Sequence, residues 1–263
     1  MTKLARLAGK MVFAAADLVL PRLRGPRILI YHQVGTDLGR EMEVTEASFI
    51  AHLDWLANRG RIVDLETALA ARHSHGADRL FVLTFDDGYR DLFDVAWRHL
   101  LERKLPFMLY LATRPVETQQ PLSHDLAPPL NWDQIEEMLS SGLMTLGAHT
   151  HNHPDLRRLQ SSEVESELET CNKVIERRTS LWPRHFAYPW GYWSKSADAV
   201  IRASYQTAAL GAPTEADPFK DDHLVFRLPV QRSDGSFFFR AKVRNGLRVE
   251  EQVRRRLRGY VPH

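Results

Sequence analysis

Leu80-Phe81-Val82-Leu83-Thr84-Phe85-Asp86-Asp87-Gly88 runs from an apolar stretch straight into two adjacent carboxylates and a glycine. Leu80 to Phe85 is too continuously apolar for a strand with one wet face. Strands covered by helices on both sides have this composition, and they belong to parallel sheets. Working outward, Arg27 to His32, Phe107 to Ala112, Leu143 to Ala148, Phe186 to Tyr188 and Gln206 to Leu210 read the same way, with Leu224 to Val230 a further candidate. Helical spacing fills the gaps: Phe49, Leu53 and Leu56 behind a Ser48 cap, Leu92, Val95, Ala96 and Leu100 within 91–104, and Val164, Leu168, Cys171 and Ile175 within 162–177.

This alternation, βα repeated about seven times, fits a barrel or a doubly wound open sheet. Tyr31-His32, Asp86-Asp87, His149 and the Tyr188-Pro189 region all fall just past the C-terminal ends of strands. Several strands feeding one site from one end is the habit of a barrel rather than of an open sheet with a single crevice. The expectation is an α/β barrel over 27–235, preceded by a basic amphipathic segment (1–26) and followed by a basic helical tail (236–263). Thr113 to Pro129 holds four prolines and no periodicity, and is expected to be a long excursion without an element.

Hydrophobic residues make up 44% of the 263 and charged ones 26%, which excludes a disordered chain. The net charge of +2 is too small to argue for nucleic acid, but it is unevenly placed. Residues 1–27 carry six Lys/Arg against Asp17 alone, and 240–263 carry eight against Glu250 and Glu251. The lone Cys171 excludes an internal disulfide. No apolar run approaches the roughly 20 residues that span a bilayer. Along the first helix Leu4, Leu7, Met11, Ala14 and Leu18 share a stripe, with Lys3, Lys10 and Asp17 largely on another. Such a helix packs on its own domain or lies on an anionic membrane surface; as an export signal it is weak.

Asp86 and Asp87 would point to opposite faces of an extended strand. On a turn into Gly88 they can converge on one cavity, one carboxylate on a metal and the other on the attacking water. His149-Thr150-His151-Asn152-His153-Pro154 offers three imidazoles if extended, or His149 and His153 if the chain turns, and spacing does not choose. Carboxylate with imidazole is the ligand set of a divalent metal that keeps a position open for water. Turn-forming acids and surface histidines are the bland alternative. His32, with Tyr31 beside it to orient it, is a satisfied core histidine or a general acid. Tyr89, Trp132, Tyr188, Trp190 and Trp193 suit either the faces of sugar rings or the packing of a barrel rim.

Thr84-Phe85-Asp86-Asp87-Gly88, His149-Thr150-His151-Asn152-His153-Pro154 and Phe186-Ala187-Tyr188-Pro189-Trp190-Gly191 resemble, in this order, the first three motifs of the polysaccharide deacetylases with a NodB-type homology domain. The resemblance spans roughly 78–210 and implies a deformed (β/α)7-type barrel and one divalent metal, zinc above nickel, cobalt, iron or manganese. It makes Asp87, His149 and His153 the ligands, leaves His151 outside, and makes Asp86 the base. The arginine that orients the base in that family stands where this chain has Ala187, and Arg184 and Arg227 are the candidates to supply its charge from elsewhere. The late Leu-x-x-His motif ends here in Leu228-Pro229-Val230-Gln231 without histidine. Exopolysaccharide and biofilm-matrix deacetylases carry an early segment similar to Tyr31-His32-Gln33-Val34, which moves the acid to His32, with His223 as fallback. Tyr89, Tyr188, Trp190 and Trp193 become the residues around substrate and oxyanion.

The activity so implied is hydrolysis of an N-acetyl group on an amino sugar of a polysaccharide, oligosaccharide or lipid-linked glycan. A weakly active carbohydrate-binding relative and an amidase on a non-sugar amide are the alternatives. The partner is N-acetylated carbohydrate, with peripheral contact to anionic membrane and no nucleic acid. The expected place is cytoplasmic or on the inner membrane surface, with the periplasm as alternative.

Overall fold

Each apolar run becomes a strand, and every strand pairs in parallel. The computed structural model describes residues 3–17, 19–36, 38–122, 126–213 and 220–257. The strands are β1 (Arg27–Tyr31), β2 (Gln33–Val34), β3 (Glu43–Val44), β4 (Arg61–Ile62), β5 (Leu80–Asp87), β6 (Phe107–Leu111), β7 (Met144–Ala148), β8 (His185–Ala187), β9 (Thr207–Leu210), β10 (Leu224–Phe226) and β11 (Leu228–Pro229). The helices are α1 (Lys3–Asp17), α2 (Glu46–Ala57), α3 (Leu65–Ala70), α4 (Trp97–Glu102), α5 (Thr113–Thr118), α6 (Trp132–Ser140), α7 (Ser161–Thr179), α8 (Lys195–Ser204), α9 (Gly235–Asn245) and α10 (Arg248–Leu257).

The main sheet runs β10-β9-β8-β7-β6-β5-β1-β11, with β4 on the start of β5. Its two ends are one piece of chain: Leu224–Phe226 pairs with β9, and Leu228–Pro229 pairs with β1. The run 224–229 therefore closes the sheet, and Arg227 sits at the switch. Counting that run as one stave, the barrel has seven, the deformed (β/α)7 form. Alternation along each strand sorts its side chains. Ile28, Val82, Met108, Tyr110, Ala187, Ala209 and Val225 form an interior cluster. Leu29, Tyr31, Leu83, Phe85, Leu109 and Leu111 face outward, in a larger cluster with Phe49, Leu53, Leu100, Ile135, Leu168 and Ile175. Both faces of each stave are buried, which is why the strands lack polar alternation.

Several local expectations are corrected. The helix after β3 starts earlier than Ser48: Thr45 is its cap and accepts from Ser48 N. Residues 91–104 do not form one regular helix, because Leu92–Ala96 is a π-helical turn that leads into α4. Thr113 to Pro129 is not a bare excursion. Its first six residues form α5, ended by Gln119 in a left-handed conformation. Pro115 is harmless there, since a proline in the first turn removes an N–H that has no helical partner. The C-terminal segment is two helices, α9 and α10, parted by Gly246 at φ +89°.

The terminal helices pack together through buried polar bonds. Lys10 Nζ lies 2.7 Å from Asp234 Oδ1, and Lys242 Nζ lies 2.6 Å from Asp234 Oδ2. Asp17 accepts from the backbone N–H of Arg248 and of Val249, both at 3.1 Å, so it caps α10. Asn245 donates to the carbonyl of Asp17 and accepts from Leu23 N. Lys10 and Asp17, polar positions of α1, are thus buried in this contact, while Met11 and Val12 are exposed.

Candidate active site

The Asp86-Asp87 pair resolves its facing problem through the backbone. β5 continues through both residues, pairing Asp86 with Tyr110 and Asp87 with Leu111. Asp87 then takes φ +73° and Gly88 φ +88°, and Gly88 N donates to Asp86 O at 2.9 Å. Aspartate tolerates the left-handed region better than most residues, and the twist brings its carboxylate round to the side of Asp86. Any other residue at Gly88 is strained by its φ, and a Cβ there would also lie 2.6 Å from Leu111 Cδ1. The end of the 113–129 segment supports this turn: Leu130 N donates to Gly88 O at 2.8 Å, and Arg90 N to Pro128 O at 2.9 Å.

His149 follows β7, and the chain then turns through Thr150 and His153, both at positive φ. Thr150 Oγ1 accepts from His153 N and holds that turn. His149 and His153 come back beside each other, ring centroids 4.9 Å apart. His151 is turned away: its Nδ1 lies 2.8 Å from Thr113 Oγ1, and its backbone N donates to Glu167. Asp87, His149 and His153, all buried, bring one ligand atom each within 4.8 Å of one another.

The donor set fits a divalent cation. Asp87 Oδ1 is buried and makes no hydrogen bond, yet it sits 3.4 Å from His149 Nε2 and 3.2 Å from His153 Nε2. His149 Nδ1 lies 2.7 Å from Ala187 O; donating there, it leaves Nε2 with its lone pair toward Asp87. Burial opposes ionisation of Asp87, but His153, His149 and His32 outweigh it and hold the pKa well below the usual range. Burial likewise opposes charge on His149, and Asp87 and Asp86 outweigh it, raising its pKa. A cation binding there competes with a proton for the same atoms. For the Tyr89 phenol, burial first and then its hydrogen-bonded neighbour Asp87 push the pKa up.

Asp86 is held by Arg227. The guanidinium approaches both carboxylate oxygens, Nη1 to Oδ1 at 2.7 Å and Nη2 to Oδ2 at 2.8 Å, and Nη1 also donates to Thr84 Oγ1 at 2.9 Å. Burial alone would raise the Asp86 pKa; Arg227 outweighs it and lowers it. Ala187 belongs to the barrel interior, the space that Arg227 enters from the closing run. The Arg227 guanidinium also lies 4.9 Å from the Tyr110 ring, whose close packing requires Gly147: a Cβ there would meet the ring at 2.7 Å. Arg184, the other substitute weighed for the missing arginine, is not brought to the site. It donates to Gln206 and pairs with Glu66 at the N-terminal end of the barrel.

His32, Asp86, Asp87, Tyr89, His149, His153, Trp190 and Arg227 line one cavity of about 320 Å³. Tyr31 does not orient His32, because alternation sends it outward to stack on Phe85 and contact His52. His32 consequently faces inward, and its Nδ1 is buried without a hydrogen bond. His223 is not brought there: it precedes β10, with Nδ1 against Gln206 O, at the opposite end of the barrel. Trp190, at φ +64°, places its ring 5.2 Å from that of His153. Tyr188 and Trp193 turn away from the cavity toward Asp198 of α8, with Trp193 Nε1 donating at 2.8 Å. Trp132 is tied to Glu117. Sequence reasoning missed Gln33, Met42, Tyr192, Gln231 and Glu251, which also line the cavity. Tyr192 stands within the aromatic run 188–193 and was open to notice; nothing local marks the others.

Comparison with known proteins bears on this arrangement. The sequence model of the family described as polysaccharide deacetylase matches residues 73–208. YxkH of Bacillus subtilis (strain 168) is 23% identical over 205 residues, 76% of this chain and 68% of that protein. The chitooligosaccharide deacetylase of Bradyrhizobium sp. (strain ANU 289) is 27% identical over 158 residues, 57% of this chain and 63% of its own length. Among solved structures, IcaB from Ammonifex degensii superposes with a TM-score of 0.73 at 22% identity, covering 88% of this chain and 100% of that one. BC0361, a polysaccharide deacetylase from Bacillus cereus, gives a TM-score of 0.69 at 21% identity, covering 84% of this chain and 69% of that one. Both share this barrel.

Proposed function

This chain belongs to the polysaccharide deacetylase family, and on that premise we propose that it removes the N-acetyl group from an N-acetylated amino sugar of a polysaccharide, oligosaccharide or lipid-linked glycan. The observation that carries the reading is a buried Asp87–His149–His153 cluster sharing one cavity with the Arg227-bound carboxylate of Asp86. The name of the Bradyrhizobium relative supports an amino-sugar oligomer as substrate class. One carboxylate with two imidazoles suits zinc, with nickel, cobalt, iron or manganese as alternatives. A divalent metal held there supplies a Lewis acid for the acyl carbonyl and lowers the pKa of water.

The chain's own residues do the rest. Asp86, kept ionised by Arg227, takes the proton of the attacking water. His32, on the neighbouring strand end, delivers a proton to the departing nitrogen, which would otherwise leave as an amide anion. Trp190, half-exposed at the cavity, offers a ring face to the sugar. The test is metal content of the purified protein together with acetate release from a short N-acetylglucosamine oligomer. Asp87→Ala should lose both. Asp86→Asn should keep the metal and lose at least about 10²-fold in rate. A metal-replete protein that releases no acetate from any acetylated sugar overturns the reading.

We also propose a place on an anionic membrane surface. The exposed Met11, Val12 and Val19 near basic Arg22 and Arg24 support it, and no described helix is long and apolar enough to cross a membrane. Fractionation that recovers the protein free of membranes at low salt refutes it.

A further inference from the structure

Two members of the Asp87–His149–His153 cluster flank one short turn, and that turn is strained. Thr150 stands at φ +67° and His153 at φ +58°. The left-handed region is unfavourable for both, and most of all for a β-branched residue such as threonine. Two such residues so close together persist only where the surroundings over-determine them. The hydrogen bond from His153 N to Thr150 Oγ1 closes the turn from within. From outside, its carbonyls are met by the start of α5, with Thr113 N donating to Thr150 O at 3.3 Å and Arg114 N to His151 O at 2.9 Å. The N–H groups of its middle pair meet one side chain. Glu167 Oε2 accepts from His151 N at 3.1 Å and from Asn152 N at 2.8 Å, while Oε1 accepts from Asn152 Nδ2 at 2.6 Å. Both carboxylate oxygens are thus bound to the stretch between the two imidazoles. Glu167 can hold that stretch because α7 is itself fixed, burying Val164, Leu168, Cys171 and Ile175.

We infer that Glu167 is a positioning residue for the metal centre: from α7 it holds the 150–153 turn in the strained form that sets His153 beside His149. The inference rests on the metal reading of the cluster. Glu167 acts through the backbone it binds, so its reach matters and its charge does not. Without it the turn relaxes away from the left-handed region. His153 then loses its place first, because His149 is held independently by its Nδ1 contact with Ala187 O. Groups that orient ligands without touching the metal commonly change its affinity by roughly 10- to 100-fold.

The experiment measures the zinc affinity of the full chain by competition with a chromophoric chelator, for wild type, Glu167→Ala, Glu167→Gln and Glu167→Asp. Glu167→Ala should bind zinc roughly 10- to 100-fold more weakly than wild type. Glu167→Gln keeps the reach and an accepting oxygen but loses the charge, and should restore most of the affinity. Glu167→Asp keeps the charge but falls short of the turn, and should bind about as weakly as Glu167→Ala. With cobalt(II) in place of zinc, the visible absorption band reports ligand geometry. It should change shape in Glu167→Ala and Glu167→Asp and keep its wild-type shape in Glu167→Gln. Where Glu167→Ala fails to fold, the contrast between Glu167→Gln and Glu167→Asp carries the same test. A Glu167→Ala variant that binds zinc as tightly as wild type overturns the inference. So does a weak Glu167→Gln beside a tight Glu167→Asp, which would make Glu167 a remote charge. Weaker binding with an unchanged cobalt band also overturns it, since a merely structural role predicts that. A wild type that binds no zinc removes the metal reading and this inference together, whereas failure among the variants alone leaves the metal reading standing.

Discussion

Replacing Arg227 with methionine tests the site and the closure of the barrel together. Arg227 is fully buried, pairs with both oxygens of Asp86, and occupies the switch between β10 and β11. Methionine fills much of the volume but leaves the Asp86 carboxylate buried without its counter-charge. Breaking one side of such a pair costs about 3–5 kcal/mol. With a urea slope of about 2–3 kcal/mol per molar, the unfolding midpoint should fall by roughly 1–2.5 M. Burial remains and Arg227 does not, so the Asp86 pKa should rise instead of being depressed. The acidic limb of the activity profile therefore moves to higher pH, and activity is partly recovered on the alkaline side. Adding Asp86→Asn to Arg227→Met should restore stability relative to the single variant, because no uncompensated charge is left. A variant within about 0.5 kcal/mol of wild type, with an unmoved acidic limb, would refute the reasoning.

His32→Ala should keep its metal and lose on the order of 10²- to 10⁴-fold in acetate release, whereas His223→Ala should stay within about twofold; full activity in His32→Ala removes it from the acid role. Asp91 is buried, accepts from Val34 N, and has a pKa pushed up to about 7, by burial first and then by Glu43 and Asp94. Its folded-state pKa lies above the unfolded one, so its contribution is fully present below about pH 4 and is lost as pH rises through about 7. Asp91→Asn should flatten the fall in urea midpoint between about pH 4 and 7 by an amount worth at most about 4 kcal/mol; an unchanged slope counts against it. Asp234 holds two buried lysines, so Asp234→Ala should cost about 3–5 kcal/mol, while Lys10→Met leaves a one-to-one pair with Lys242 and should cost clearly less by the same urea assay.

The parallel strands and the strand-end places of the acids and histidines were legible because their signals are local. A strand buried on both faces must be apolar throughout, and ligands at strand ends must follow such runs directly. The turn at Asp87 and Gly88 is likewise written in adjacent residues. Helix starts were less legible. Thr45 and Ser48 both have the chemistry of a cap, and the backbone path decides which of them finds a free N–H. The α5 turn hid behind Pro115, which is costly inside a helix and harmless in its first turn. Aromatic residues near a motif carry no direction of their own. Trp190 and Tyr192 open onto the cavity, while Tyr188 and Trp193 turn to Asp198, a choice made by strand alternation and the positive φ of Trp190.

By itself, the sequence determined the parallel α/β class and placed Asp86, Asp87 and the histidines of 149–153 just past strand ends, and the resemblance to the deacetylase motifs chose Asp87, His149 and His153 among them. Only the tertiary structure decided which arginine meets Asp86. Arg227 and Asp86 are 141 positions apart, and closure of the sheet through 224–229 is what turns that separation into a 2.7 Å contact. It also decided that the chain's two ends cap each other and bring Glu251 to the catalytic cavity. The candidate ligands Asp87, His149 and His153 lie at or just past strand ends, so their positions are encoded in short runs. Counter-charges and cavity walls need only proximity, which any distant segment can supply after the barrel has closed.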